Sequence, residues 1–149
     1  MAKMSALLIV LQFGLGLLLL ITGIGKLLDV QGFISIIDTY QVSPDWMQPP
    51  LAVLIVGSEL KIAESLQRGN NVRAAAIAST ILHALFSIVA VTTLLRGIAV
   101  PNCGCFGVFM GRPLTWQTLF EDICLLGASI ALVLLSNRHR ATINTEYAN

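Results

Sequence analysis

Long uncharged apolar runs alternate along this chain with short polar connectors, and the lengths of the runs predict its elements. From Met4 to Gly25 no charge interrupts a stretch centred on "LLIVLQFGLGLLLLITGIG". At about 1.5 Å rise per residue such a run crosses a hydrocarbon core of roughly 30 Å, so it reads as a transmembrane helix. A second run, "QPPLAVLIVGSELKIAESL", opens on Pro49 and Pro50, which suit a helix's first turn because the N–H groups they lack would be unpaired there. It carries Glu59, Lys61 and Glu64. The third extends from Val72 to Leu95, is uncharged from Ala74 onward, and contains His83. The fourth, "ICLLGASIALVLLSN", is shorter and spans only by borrowing the turns from Trp116 to Asp122.

The predicted spans are therefore 5–27, 49–67, 72–95 and 116–136. Between the first two, "DVQGFISIIDTY" sets Phe33, Ile36, Ile37 and Tyr40 at helical spacing, which predicts a short helix lying on the outer membrane surface. The expected fold class is all-α. It is a single integral-membrane four-helix bundle over residues 1–149, with that interfacial helix and a C-x-C loop between spans three and four.

Composition agrees with lipid as the solvent: 56% of residues are hydrophobic and 11% charged, far from the averages of soluble domains. A secretory signal is the rival reading of the first run, because Lys3 precedes it, but the run is too long and has no A-x-A cleavage site. A net charge of +1 with no dense Lys/Arg tract excludes nucleic acid as a partner. Basic residues flank the spans at Lys3, at Arg68 and Arg73, and at Arg138, His139 and Arg140, which places these segments and both termini in the cytoplasm. Trp46 and Trp116 then fall at the outer interface. Lys26 is counted with the first outer loop, beside Asp29, Asp38 and Asp45, and Arg96 and Arg112 with the second.

The segment "VPNCGCFG" thereby puts Cys103 and Cys105 outside the cytosol, where disulfides form and persist. Gly104 lets the two bridge, but the small ring is strained, and strain makes a disulfide easier to reduce. A staple this short removes almost no unfolded-state entropy, so the pair suits electron exchange better than cross-linking. Two other readings stay open: a disulfide that fixes a tight turn, and small buried thiols in a loop folded onto the bundle. A metal is the weakest reading, since two thiolates are too few ligands and His83 lies deep in the third span.

Other polar residues carry expectations of their own. Lys61, Glu64 and Arg68 share one helix face and neutralise one another. Glu59 falls near mid-membrane, where a lone carboxylate is costly, and His83 falls at a comparable depth, so the two are expected to face each other as a buried pair or a proton path. Glu121 and Asp122 suit the start of the fourth helix, with a second role as proton shuttles for the thiols. Cys124 is expected in the core, or else as a resolving thiol, and Arg96 or Arg112 as a cation that lowers a thiol pKa. Gly14, Gly16, Gly23 and Gly25 allow a neighbouring helix to come close.

Taken in order, "GIGKLLD", Phe33 and a short helix ending in "Y..SP", "PPLAVLIVGSELKIAESL", "RG....CGCFG", and a tryptophan preceding "ED.CLL" resemble the MauE branch of the DoxX-like membrane proteins, from about Leu11 to Leu135. The resemblance rests most on "CGCFG", with support from Lys26, Asp29, Glu59 and Arg96; the second span has Ala63 and Ser65 where the family pattern has a glycine. It implies a four-helix, redox-associated protein of the bacterial inner membrane, with the redox role on Cys103 and Cys105 and the buried acid at Glu59. It also implies a part in maturing a disulfide-rich periplasmic subunit of methylamine dehydrogenase beside a thioredoxin-like partner. The wider group includes a subunit of a thiosulfate:quinone oxidoreductase.

The expected function is thiol–disulfide exchange with a thioredoxin-like protein or a membrane electron carrier; no cofactor is fixed, and quinone is the candidate carrier. The alternative is a non-catalytic auxiliary subunit docked on a larger membrane complex. A transporter is weaker still, because inverted repeats and broken helices are not visible.

Overall fold

The computed structural model describes the backbone of residues 2–147 and the side chains of residues 6–138. The side chains of Lys3, His139 and Arg140, counted above among the basic flanks, lie outside the described residues. The described chain is all-helical, without a strand: α1 (Ala2–Leu28), α2 (Val30–Thr39), α3 (Gln48–Gln67), α4 (Val72–Leu95) and α5 (Trp116–Tyr147), with a single 3-10 turn at Asp45–Met47. Three stretches are long and apolar enough to cross a membrane, Ala6–Leu28, Val72–Leu95 and Trp116–Arg138. Helix α3 has the length, but Glu59, Lys61 and Glu64 interrupt its apolar character.

Local chemistry sets the boundaries. Asp29 separates α1 from α2 by capping the latter, its Oδ1 accepting from the Gly32 N–H at 2.8 Å. Prolines fill the first turn of α3. The chain reverses from α3 into α4 through Gly69 and Asn71, both in the left-handed region at φ +68° and +50°. Helix α1 packs against α3 and α5, and α4 against α5 and α3. Leu15, Leu19, Ile62, Leu66, Leu82 and Leu132 fill the space between them. Gly16 and Gly23 bring α1 onto α3, where a Cβ would meet Leu66 Cβ at 3.1 Å and Leu60 Cδ2 at 2.9 Å; Gly14 faces open space.

Polar residues share the interior with the apolar core, and much of the exposed surface is apolar. Gln12, Lys26, Glu59, Ser79, His83 and Ser129 are buried, while Leu7, Val10, Phe13, Leu17, Leu54, Leu85 and Leu134 are exposed. Oil outside and hydrogen bonds inside is the arrangement that hydrocarbon solvent demands. Near the C-terminal end of α3 the Lys61–Glu64–Arg68 stripe forms as its spacing predicts, with contacts of 3.0 and 3.2 Å between exposed side chains.

Helix α2 departs from expectation. Its apolar residues Phe33, Ile36 and Ile37 are buried against Ala52 and Val56 of α3, so this face covers the protein and is not free to enter lipid. The reason lies in the connection that follows α4: Gly104 sits directly beneath Phe33 and Ile36, giving that face a protein surface to bury.

Candidate functional site

The connection from Arg96 to Thr115 folds back on itself. The Leu114 N–H donates to Val100 O at 2.9 Å and the Cys103 N–H to Arg112 O at 2.7 Å, closing a loop that presents Cys103-Gly104-Cys105. The inner side of this turn is pinned at three points. Tyr40 Oη donates to Cys103 O at 2.7 Å, Lys26 Nζ donates to Cys105 O at 2.9 Å, and Gly104 takes φ +73° where a Cβ would lie 2.9 Å from Ile36 Cγ2. Only glycine fits there, on both conformational and steric grounds. Gly25 and Gly107 add a backbone contact, since a Cβ on Gly107 would fall 2.5 Å from Gly25 O.

Both thiols are free and half-buried, and their sulfur atoms lie 2.8 Å apart. The Cys105 N–H points at Cys103 Sγ from 3.4 Å, so negative charge settles on Cys103. The thiol of Cys105 and this N–H bring Cys103 down to about 7, against the opposing effect of burial. The same hydrogen bond, together with burial, pushes Cys105 up. Burial also pushes the Tyr40 phenol up, so it stays a hydrogen-bond donor.

Behind the turn lies a buried ion pair. Lys26 Nζ reaches Glu59 Oε1 and Oε2 at 2.8 and 2.9 Å, and the two residues are 3% and 1% exposed. Two expectations change. Lys26 is not in a solvated outer loop; it is in the last turn of α1, with the rings of Phe33 and Phe86 5.6 and 6.0 Å from its amine. Glu59 does not pair with His83. An ammonium group neutralises the carboxylate, whereas His83 Nδ1 lies 2.8 Å from Ser79 O and 3.4 Å from Ser129 Oγ, joining α4 to α5.

A cavity of about 300 Å³ opens between α1, α5 and the turn, and its wall includes Thr22, Cys103, Cys105, Asp122 and Cys124. A larger one of about 480 Å³, at the opposite end beside Gly69 and Arg73, holds neither thiol nor acid. Asp122 is half-buried among the cavity residues, within reach of the thiols' electrostatic field. Glu121 is engaged by Arg112, whose Nη1 and Nη2 donate to its two oxygens at 2.9 Å each. The start of α5 is capped instead by Thr115 and Thr118, each hydroxyl accepting the other's backbone N–H. Cys124 is exposed on α5, not in the core, because its face of the helix borders the cavity and not a neighbouring helix. Arg96 is exposed and donates to Tyr40 O and Gln41 O, so it ties down the end of α2; of the two arginines, Arg112 is the one whose charge reaches the thiols. Among the described residues no cluster of three or more His, Cys, Asp or Glu side chains could hold a metal ion.

Sequence reasoning missed the roles of Lys26 and Tyr40. The signal for the first was available: a buried carboxylate demands a cation, and Lys26 lies one helical turn beyond the run that carries Thr22. For Tyr40 no local signal exists, since its acceptor is 63 positions away.

The model of the family "Methylamine utilisation protein MauE" matches residues 4–135. The chain is 25% identical over 122 residues to the methylamine utilization protein MauE of Paracoccus denitrificans, covering 82% of this chain and 66% of that one. It is 29% identical over 119 residues to the protein of the same name from Methylorubrum extorquens, covering 80% and 64%. It thus spans just under two thirds of the length of both relatives. No solved structure matches it.

Proposed function

The chain belongs to the MauE family of methylamine utilisation proteins, and from that premise we propose that it exchanges thiols and disulfides through Cys103 and Cys105 on the outer face of the bacterial inner membrane. In this reading α1, α3, α4 and α5 all span, with the ion pair of Lys26 neutralising the acid of α3, both termini are cytoplasmic, and the substrates are disulfides handled during methylamine utilisation. The observation that carries it is the turn itself: two sulfur atoms in direct contact, one of them facing the Cys105 N–H, on a backbone fixed from three sides.

The chemistry balances as follows. A thiolate of a thioredoxin-like partner attacks Cys105 Sγ of the oxidised pair, and Cys103 leaves as a thiolate, the better leaving group of the two. The partner's second thiolate then attacks the mixed disulfide, Cys105 departs and takes up a proton, and the partner is oxidised by two electrons. A membrane carrier of the quinone class would accept those two electrons together with two protons, one from the Cys105 thiol and one from solvent, and the disulfide would be restored. Asp122 lines the same cavity, which supports assigning it the passage of protons in this reading.

Acid quenching of intact cells followed by thiol alkylation tests this reading. The pair is expected to distribute between dithiol and disulfide, and replacing both cysteines by Ser is expected to shift the partner's redox state. Unchanged partner oxidation in Cys103→Ser/Cys105→Ser would overturn it. The exposed tip of the loop, Val108, Phe109 and Met110, supports the second reading, a non-catalytic subunit docked on a larger complex. Stoichiometric comigration in mild detergent, with partner oxidation indifferent to the cysteines, selects that one.

A further inference from the structure

We propose that the buried Lys26–Glu59 pair selects Cys103 over Cys105 as the charge-bearing sulfur, with Lys26 acting as a positioning residue through the Cys105 carbonyl. The inference rests on the exchange reading only for its consequence; the selection itself is a property of the turn.

An ammonium has three N–H donors and no acceptor. Those of Lys26 are fully used: two on the oxygens of Glu59 and one on Cys105 O, all at 2.8–2.9 Å. With α1, α3 and two aromatic rings around it, the amine is a fixed point, and the Cys105 carbonyl is tied to it. Tyr40 fixes the Cys103 carbonyl and Phe33 and Ile36 press on Gly104. The carbonyls on both sides of the Gly104–Cys105 peptide are therefore held, and that favours the orientation in which the Cys105 N–H faces Cys103 Sγ. Release the Cys105 carbonyl and that N–H loses its aim.

The other charged side chains facing the pair do not act through the backbone of the turn. Asp122 of α5 disfavours ionisation of both thiols. Arg112 favours ionised Cys103 directly, with part of its field offset by the Glu121 fork, and its guanidinium leaves the backbone of the turn untouched. Tyr40 of α2 is a neutral donor. Lys26 itself is the informative case, because its field, taken alone, favours charge on Cys105. Positioning and direct electrostatics thus predict opposite results when the cation is removed.

The test uses the full-length protein in lipid nanodiscs on a Cys124→Ser background. Iodoacetamide labelling is followed against pH, and each adduct is located by mass spectrometry within the peptide that contains both cysteines. With Lys26 present, Cys103 is expected to label with a midpoint near pH 7, in about tenfold excess over Cys105 at that pH. In Lys26→Met the midpoint is expected to rise by about a unit and the excess to fall to about threefold or less. A midpoint that stays or falls, or an excess that grows, overturns the proposal. If Lys26→Met does not fold, Lys26→Met/Glu59→Met removes both charges and carries the same expectation and the same refutation. Tyr40→Phe, which deletes only the second carbonyl clamp, is expected to shift the midpoint in the same direction. Failure of Cys103→Ser/Cys105→Ser to alter partner oxidation would remove the exchange reading and leave this labelling pattern untouched, so the two can fail separately.

Discussion

Replacing Glu59 by Ala strands a buried cation, and the size of the penalty follows from the geometry. Lys26 is 3% exposed and Glu59 1%, so neither gains much from solvent. Removing one partner of such a pair costs about 3–5 kcal/mol, because the remaining charge is left uncompensated in a low-dielectric interior. Two of the three donors of the amine lose their acceptors, and only the Cys105 carbonyl remains. Removing both charges with residues of similar volume should cost far less. Lys26→Met/Glu59→Met loses mainly the donor to Cys105 O, an unsatisfied acceptor worth about 1–3 kcal/mol. The double variant is therefore expected to be more stable than Glu59→Ala alone, by roughly 1–3 kcal/mol. Equilibrium unfolding of the purified protein in mixed micelles, followed by far-UV circular dichroism, measures both. If the double variant is no more stable than Glu59→Ala, the charges are not coupled and the dry ion pair is refuted.

Other outcomes follow from the same geometry. Gly104→Ala places a Cβ 2.9 Å from Ile36 Cγ2 in a left-handed residue, so a loss of about 1–3 kcal/mol is expected by chemical denaturation, together with slower thiol exchange. Gly25→Ala drives a Cβ to 2.7 Å from the Phe106 carbonyl, which cannot rotate away as a side chain would; labelling of both cysteines by a bulky maleimide should increase as the turn lifts off α1. Arg112→Ala removes a cation that favours ionised Cys103, so its labelling curve should move to higher pH, readable by stopped-flow alkylation. His83→Ala deletes the hydrogen bonds to Ser79 and Ser129 and leaves a cavity between α4 and α5; it is expected to destabilise by about 2–4 kcal/mol while the labelling curve of Cys103 stays in place.

Much of this molecule is written in patterns only a few residues long. Run length and the scarcity of charge specify helices that suit hydrocarbon, the prolines at 49 and 50 mark where α3 begins, and i,i+3 and i,i+4 spacing pairs Lys61 and Arg68 with Glu64. The Cys-Gly-Cys spacing makes contact of the two sulfur atoms possible, and Gly104 permits the left-handed turn that brings it about. The partners of the polar groups were not written locally. Glu59 finds Lys26 33 positions away and Cys105 finds the same amine 79 positions away, and no periodicity of the chain encodes either distance. Depth alone pointed Glu59 to His83, and helix packing chose Lys26 because close contact of Gly23 with Leu60 brings α1 and α3 together just there. The face of α2 was equally ambiguous, since an apolar stripe serves lipid and protein alike, and it turned inward once the loop supplied Gly104 as a floor. Periodicity fixes which residues share a face. Which face meets which partner is decided by long-range packing, where close contact and satisfied charge outweigh any local preference.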